Sequence, residues 1–215
     1  MEFIFYILLA YVFMKVPVVG PNLRLLNTLI HECSHVLVAK MTGGRGHSIK
    51  LHPDTSGTAL VQSSTRFSGI LSTYAGYTGP SLTAFALFYL LKQGNYQLVM
   101  LFFLTLVVGT TILWIRNVFG LLWSISFAGL LYVLFYYELD EALLHGSIIL
   151  CSIVLLESIT SAAFIFFKSM TSPREAGDAT ILQRVTWIPA VIWGMLFFVQ
   201  SVFVGVKIFL QYVGV

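Results

Sequence analysis

The sequence predicts an all-α polytopic membrane protein with six to seven transmembrane helices and a small β-hairpin between the second and third. Three observations carry that prediction. Of 215 residues, 58% are hydrophobic and only 10% charged, which lies outside the range of soluble globular domains. Apolar runs close to the roughly 20 residues that a bilayer requires recur along the whole chain. The polar stretch 42–66, by contrast, carries two short β-prone runs around a turn.

The first run, Phe3 to Met14, is short, and Lys15, Pro17, Gly20 and Pro21 punctuate its end. Pro21-Asn22 suits the first turn of a second helix, where the missing proline N–H is not needed. That helix continues through Leu23 to Met41 and stops at Thr42-Gly43-Gly44, a good helix terminator. Ser48 to Leu51 and Thr58 to Gln62 read as paired strands, joined by the turn Pro53-Asp54-Thr55-Ser56-Gly57. The remaining apolar runs are Phe67 to Leu91, Leu98 to Ile115, Val118 to Tyr137, Ala142 to Phe167 and Ile188 to Val206, with a second long connection at 168–187. No room is left for a sizeable soluble domain, so residues 1–215 are expected to form a single membrane-embedded unit.

The net charge of +3 is spread thinly, which excludes a nucleic-acid surface and makes charge a topology signal. Alternating loops place Lys40, Arg45, Lys50, Arg66, Arg116, Lys168, Arg174 and Arg184 on one face, and Lys15, Arg24, Lys92 and Lys207 on the other. The positive-inside rule makes the richer face cytoplasmic, with the N-terminus inside and the C-terminus outside. Glu2 stands where a signal peptide would carry basic residues, so the first segment is expected to remain as an anchor. Cys33 and Cys151 lie in apolar runs and form no paired motif.

The chemistry concentrates at His31-Glu32-Cys33-Ser34-His35. Residues four apart on a helix stand about 6 Å apart along its axis, so two imidazoles can meet one zinc ion. Glu32 lies about 100° around the helix, near enough to take a proton from a metal-activated water without being a ligand. In a soluble helix such a motif is often only a charged face. Within a membrane, two histidines and a glutamate need a cavity, a partner or a metal to offset their burial. Catalytic zinc is therefore the preferred reading over a structural polar cluster.

The chain resembles the site-2 protease group of intramembrane zinc metalloproteases, in particular its small bacterial branch without a PDZ domain. The matching residues run in order: Asn27-Thr28 before His31-Glu32-x-x-His35, Thr42-Gly43-Gly44, and Leu51-His52-Pro53-Asp54-x-Ser56-Gly57-Thr58. They continue through Ala75-Gly76-Tyr77-x-Gly79-Pro80-Ser81-Leu82, Arg116-Asn117-x-Phe119-Gly120 and Gly177-Asp178-Ala179-x-x-Leu182, with Pro189 and Trp193 downstream. The resemblance implies one Zn2+ reached by water inside a bacterial cell membrane, and transmembrane protein substrates unwound and cleaved near the cytoplasmic side.

The segment that supplies the third zinc ligand in better-known members, Leu-Asp-Gly or Asn-Pro-Asp-Gly, is missing. Asp178 is the first choice for that ligand, because it opens a helix and matches the small branch's Gly-Asp-Ala pattern. Glu157 is the rival, lying about 15 Å inside the sixth span, with a carboxylate hydrogen-bonded to Ser158, Thr160 or Ser161 as its structural alternative. Asn117 is a candidate contact for substrate backbone, or a topological anchor with Arg116. Gly76, Gly79 and Pro80 read either as close helix packing or as a loosened wall of a water path. The lack of a soluble domain implies regulation by a partner or by prior trimming of the substrate. Two other function classes compete with the protease: an inactive binder of membrane helices, and a metal-ion transporter. The transporter would need polar residues repeated along several spans, which the sequence lacks.

Overall fold

The computed structural model describes residues 2–213. In chain order the elements are α1 (Glu2–Lys15), α2 (Val19–Met41), β1 (Arg45–Leu51), β2 (Gly57–Gln62), α3 (Arg66–Lys92), α4 (Tyr96–Leu113), α5 (Val118–Tyr136), α6 (Asp140–Thr171), α7 (Gly177–Thr186) and α8 (Ala190–Val213). Each apolar run became a helix, and the hairpin lies where the turn residues put it.

Span count departs from expectation. Among the described residues, α4, α5, α6 and α8 are long and apolar enough to cross a membrane, and the α1–α2 pair, bent by 109°, adds a fifth if it is one span. Six to seven spans are not reached. The 14 residues of α1 are too few to cross alone, and the histidines, glutamate and arginine of α2 dilute its apolar character. The bend falls at Pro17 and Val18, the latter at φ 66°. Packing also brings the two ends of the chain together: Phe3 stacks on Tyr212 with ring centroids 5.1 Å apart.

A central group of α2, α3, α6 and α8 packs around the polar residues, with α4 and α5 to one side. The α2–α3 contact is close because α3 presents small residues. A Cβ on Gly79 would lie 2.0 Å from Ser34 Oγ, and α3 runs unbroken through Pro80. This is helix packing rather than a loosened wall.

At the end of α2 the chain turns at Gly43, whose φ of +81° suits glycine, and the Gly44 N–H bonds to Ala39 O at 2.8 Å. The hairpin pairs Leu51 with Gly57, Lys50 with Thr58 and Ile49 with Ala59, with an irregularity between Gly46 and Ser48. A third segment, unseen in the sequence, closes the outer edge of β1: Ile49 N–H donates to Trp114 O at 2.7 Å, and Arg116 N–H to Ile49 O at 3.1 Å. Ile49 and Leu51 are fully buried beneath it, so the hairpin is fixed on α2 and the α4–α5 connection.

Candidate metal centre

His31 and His35 stand one turn apart on α2, with Nε2 atoms 3.0 Å from each other. Asp178, the second residue of α7, brings its Oδ2 to 3.2 Å from His31 Nε2 and 3.3 Å from His35 Nε2. Ligand atoms about 2.0–2.1 Å from a tetrahedral zinc stand about 3.3 Å apart, so the three spacings match one ion.

Protonation supports the fit. His35 Nδ1 lies 2.7 Å from the Ser72 carbonyl; in the neutral imidazole that a metal requires, the N–H sits there and the Nε2 lone pair is left on the side of His31 and Asp178. Asp178 Oδ2 is buried, and although it is close to both imidazoles it has no partner in hydrogen-bonding geometry. Lone pairs crowded this way repel each other unless a cation lies between them. Two imidazole nitrogens and one carboxylate oxygen form a donor set that zinc accepts with a fourth position open.

Asp178 reaches α2 because the loop before α7 is tied down. Thr180 Oγ1 accepts from Ala176 N–H at 2.9 Å and donates to Pro173 O at 2.7 Å. Arg66 donates to Val185 O, holding the far end of α7 against α3. Ser72 returns a hydrogen bond to His35 O at 2.8 Å, so α3 and α2 are laced at the ligand itself.

Glu32 is buried beside the pair, under the hairpin. Gly57 makes this possible: a Cβ there would lie 2.7 Å from Glu32 Oε1 and from Thr28 Cγ2. The turn is anchored by Thr28 Oγ1, which donates to Thr55 O at 2.7 Å. Asp54 only shapes that turn. It accepts from the Ser56 hydroxyl at 2.6 Å and the Ser56 N–H at 3.0 Å, which hold its carboxyl below the usual range.

Two sequence candidates take other roles. Glu157 does not approach the ligands; its Oε1 accepts from Arg24 Nε at 2.7 Å, a partner that the serines and threonines nearby had obscured. Asn117 spends both ends of its amide on Leu51, donating from Nδ2 to the carbonyl at 2.6 Å and accepting at Oδ1 from the N–H at 3.2 Å. It pins the hairpin with one donor and one acceptor of its amide.

The residues that reasoning from sequence missed are mostly small. A Cβ on Gly76 would lie 2.4 Å from His35 Cε1 and 2.7 Å from His31 Cε1, so this glycine is the space into which the imidazoles fit. Gly76→Ala should therefore lose most of its zinc by elemental analysis. Its helix content should hold, since alanine favours a helix by about 1 kcal/mol over glycine. Full zinc content in that variant would contradict the packing described.

The centre opens into two cavities that meet at His31, Glu32, Gly57, Tyr77 and Gly177. One, of about 330 Å³, lies between α2, β2, α3 and α7. The other, of about 710 Å³, extends past Thr28 and Ser56 toward Arg24 and Glu157.

A family model described as Peptidase M50B-like matches residues 3–207. No curated protein and no solved structure matches the chain. The match spans the helix of His31 and His35, the hairpin and the helix of Asp178, so the ordered motifs that resemble site-2 proteases and the geometry that gathers them have one explanation: the chain belongs to the Peptidase M50B-like family of intramembrane metalloproteases.

Proposed function

We propose that this protein is a zinc endopeptidase that hydrolyses peptide bonds of transmembrane protein substrates, with His31, His35 and Asp178 as ligands and Glu32 as general base. The observation that carries the reading is the convergence of three ligand atoms, one of them an orphaned buried carboxylate oxygen, next to a second carboxylic acid, Glu32, in the same cavity. When bound there, zinc supplies Lewis acidity that makes water nucleophilic near neutral pH. Glu32 takes the proton from the attacking water and later delivers it to the leaving amine. The hairpin and α7 cover the site and keep bulk water and lipid away from the reacting bond.

The site lies shallow in the bundle. His35 bonds to Ser72, six residues from the start of α3, or about 9 Å along the helix. The hairpin and the Arg66 end of α3 lie at that end of the bundle, and by the positive-inside rule this is the cytoplasmic end.

Substrate backbone has a place beside Glu32. Ile49 spends its N–H and C=O on the 114–116 segment, so its antiparallel partner Ala59 directs its own N–H and C=O to the opposite, open edge of β2. Ala59 lines the smaller cavity together with Glu32. An unwound substrate segment that adds to this edge brings a peptide carbonyl to the centre. Ala59→Pro removes the outward N–H without touching the β1 ladder. Its expected effect is a KM for membrane substrates raised several-fold with zinc retained, and an unchanged KM would remove strand addition from the proposal.

The reading as a whole is tested by zinc content of the purified protein, together with mass spectrometry of a panel of single-pass membrane helices incubated with it in liposomes. One zinc and discrete metal-dependent cleavage are expected. A zinc-bound protein that retains but never cuts such helices would instead be the inactive helix binder.

A further inference from the structure

Tyr77 lies one residue after the glycine that accommodates the imidazoles, and its ring is held on two sides. It meets His31 edge-on with centroids 4.8 Å apart and stacks on Phe197 at 4.6 Å. Such contacts leave an aromatic ring a single well. Nearby Tyr74 spends its hydroxyl on Gln200 Oε1 at 3.0 Å. The Tyr77 hydroxyl has no hydrogen-bond partner among the described residues, and Tyr77 lines both cavities where they meet at Glu32. It also stands within the field of the Glu32 and Asp178 carboxylates, yet bonds to neither.

Tyr77 is partly buried and lines the cavity, so its hydroxyl is unspent within the protein and free to meet a ligand there. Pure packing at this position is served as well by phenylalanine, which keeps both ring contacts. A fixed, unspent donor beside a general base is the arrangement needed to receive negative charge that exists only during reaction.

We propose that Tyr77 is a catalytic residue whose hydroxyl donates a hydrogen bond to the oxygen of the scissile carbonyl as that oxygen becomes anionic. This rests on the peptidase reading above. The oxygen of water forms a bond to the carbonyl carbon, and the π pair moves onto the carbonyl oxygen. The water proton goes to Glu32, and the Tyr77 proton stays on its own oxygen. When the pair returns, the C–N bond breaks and the proton on Glu32 passes to the amine nitrogen.

The test is Tyr77→Phe, which preserves the ring. Zinc content and KM should match wild type, while kcat falls about 10²–10³-fold, the usual loss for one oxyanion donor. A readout independent of turnover uses two inhibitors. A phosphinic peptide presents a tetrahedral centre with a second oxygen, and its affinity should drop at least about tenfold. A peptide thiol offers an anion to the metal but no such oxygen, and its affinity should be unchanged. Equal weakening of both inhibitors, loss of zinc, or an unchanged kcat would each overturn the assignment and leave Tyr77 as packing. Wild type that neither cleaves nor binds the phosphinic peptide would instead defeat the peptidase reading on which the assignment stands.

Discussion

Glu32→Gln is expected to bind as much zinc as wild type and to cut membrane substrates about 10²–10⁴-fold more slowly, the range that one general base contributes. Glutamine keeps the shape of the side chain and fits under Gly57, where the clearance is too small for a single added carbon. It cannot accept a proton at neutral pH. The ligand atoms proposed for the metal belong to other residues, His31, His35 and Asp178, which lie together as a group that could hold an ion, so the metal should stay. Elemental analysis and a cleavage assay on the same sample separate the two effects. Turnover near that of wild type would remove Glu32 as base, and loss of zinc would make it a ligand.

Asp178→Ala should have the opposite signature, with zinc and activity lost together. Among the described residues, its carboxylate is the one that lies within ligand spacing of both imidazoles, and its removal leaves two neutral nitrogens in a site that no longer offsets the cation's charge. Glu157→Ala is the comparison, because both residues were candidates for the same role. Glu157 is bonded to Arg24 on the far side of the larger cavity. Its loss should leave zinc content intact and lower thermal stability by stranding the half-buried Arg24 guanidinium. If Glu157→Ala emptied the site and Asp178→Ala did not, the ligand set drawn here would be wrong.

The sequence carried the local features well. The helical runs and the strand pair follow from apolar length, from Pro21 and Gly43 at helix ends, and from the turn Pro53 to Gly57. These signals act within a few residues, where propensity and the need to satisfy backbone groups in lipid dominate. His31, Glu32 and His35 were legible for the same reason, since four-residue spacing on one helix is itself a geometric statement.

What the sequence could not weigh was contact between distant segments. Asp178 and Glu157 are both acids near apolar helices, and only the fold shows one 3.2 Å from His31 and the other spent on Arg24. Asn117 looked available until the hairpin took both ends of its amide. Gly76 and Gly57 read as packing or turn residues, and their function lies in how little space separates them from His35 and Glu32. Four helices, or five spans if the bent α1–α2 pair counts as one, are long and apolar enough to cross a membrane where six to seven were expected, in part because hydropathy counts helices singly. The sequence alone determined a helical membrane protein with a two-histidine metal motif, because those properties are set by composition and by one helical period. The third ligand, the hairpin's closed edge and the pairing of the chain ends were decided only by tertiary structure, because each depends on which of several chemically similar groups the packing brings within bonding distance.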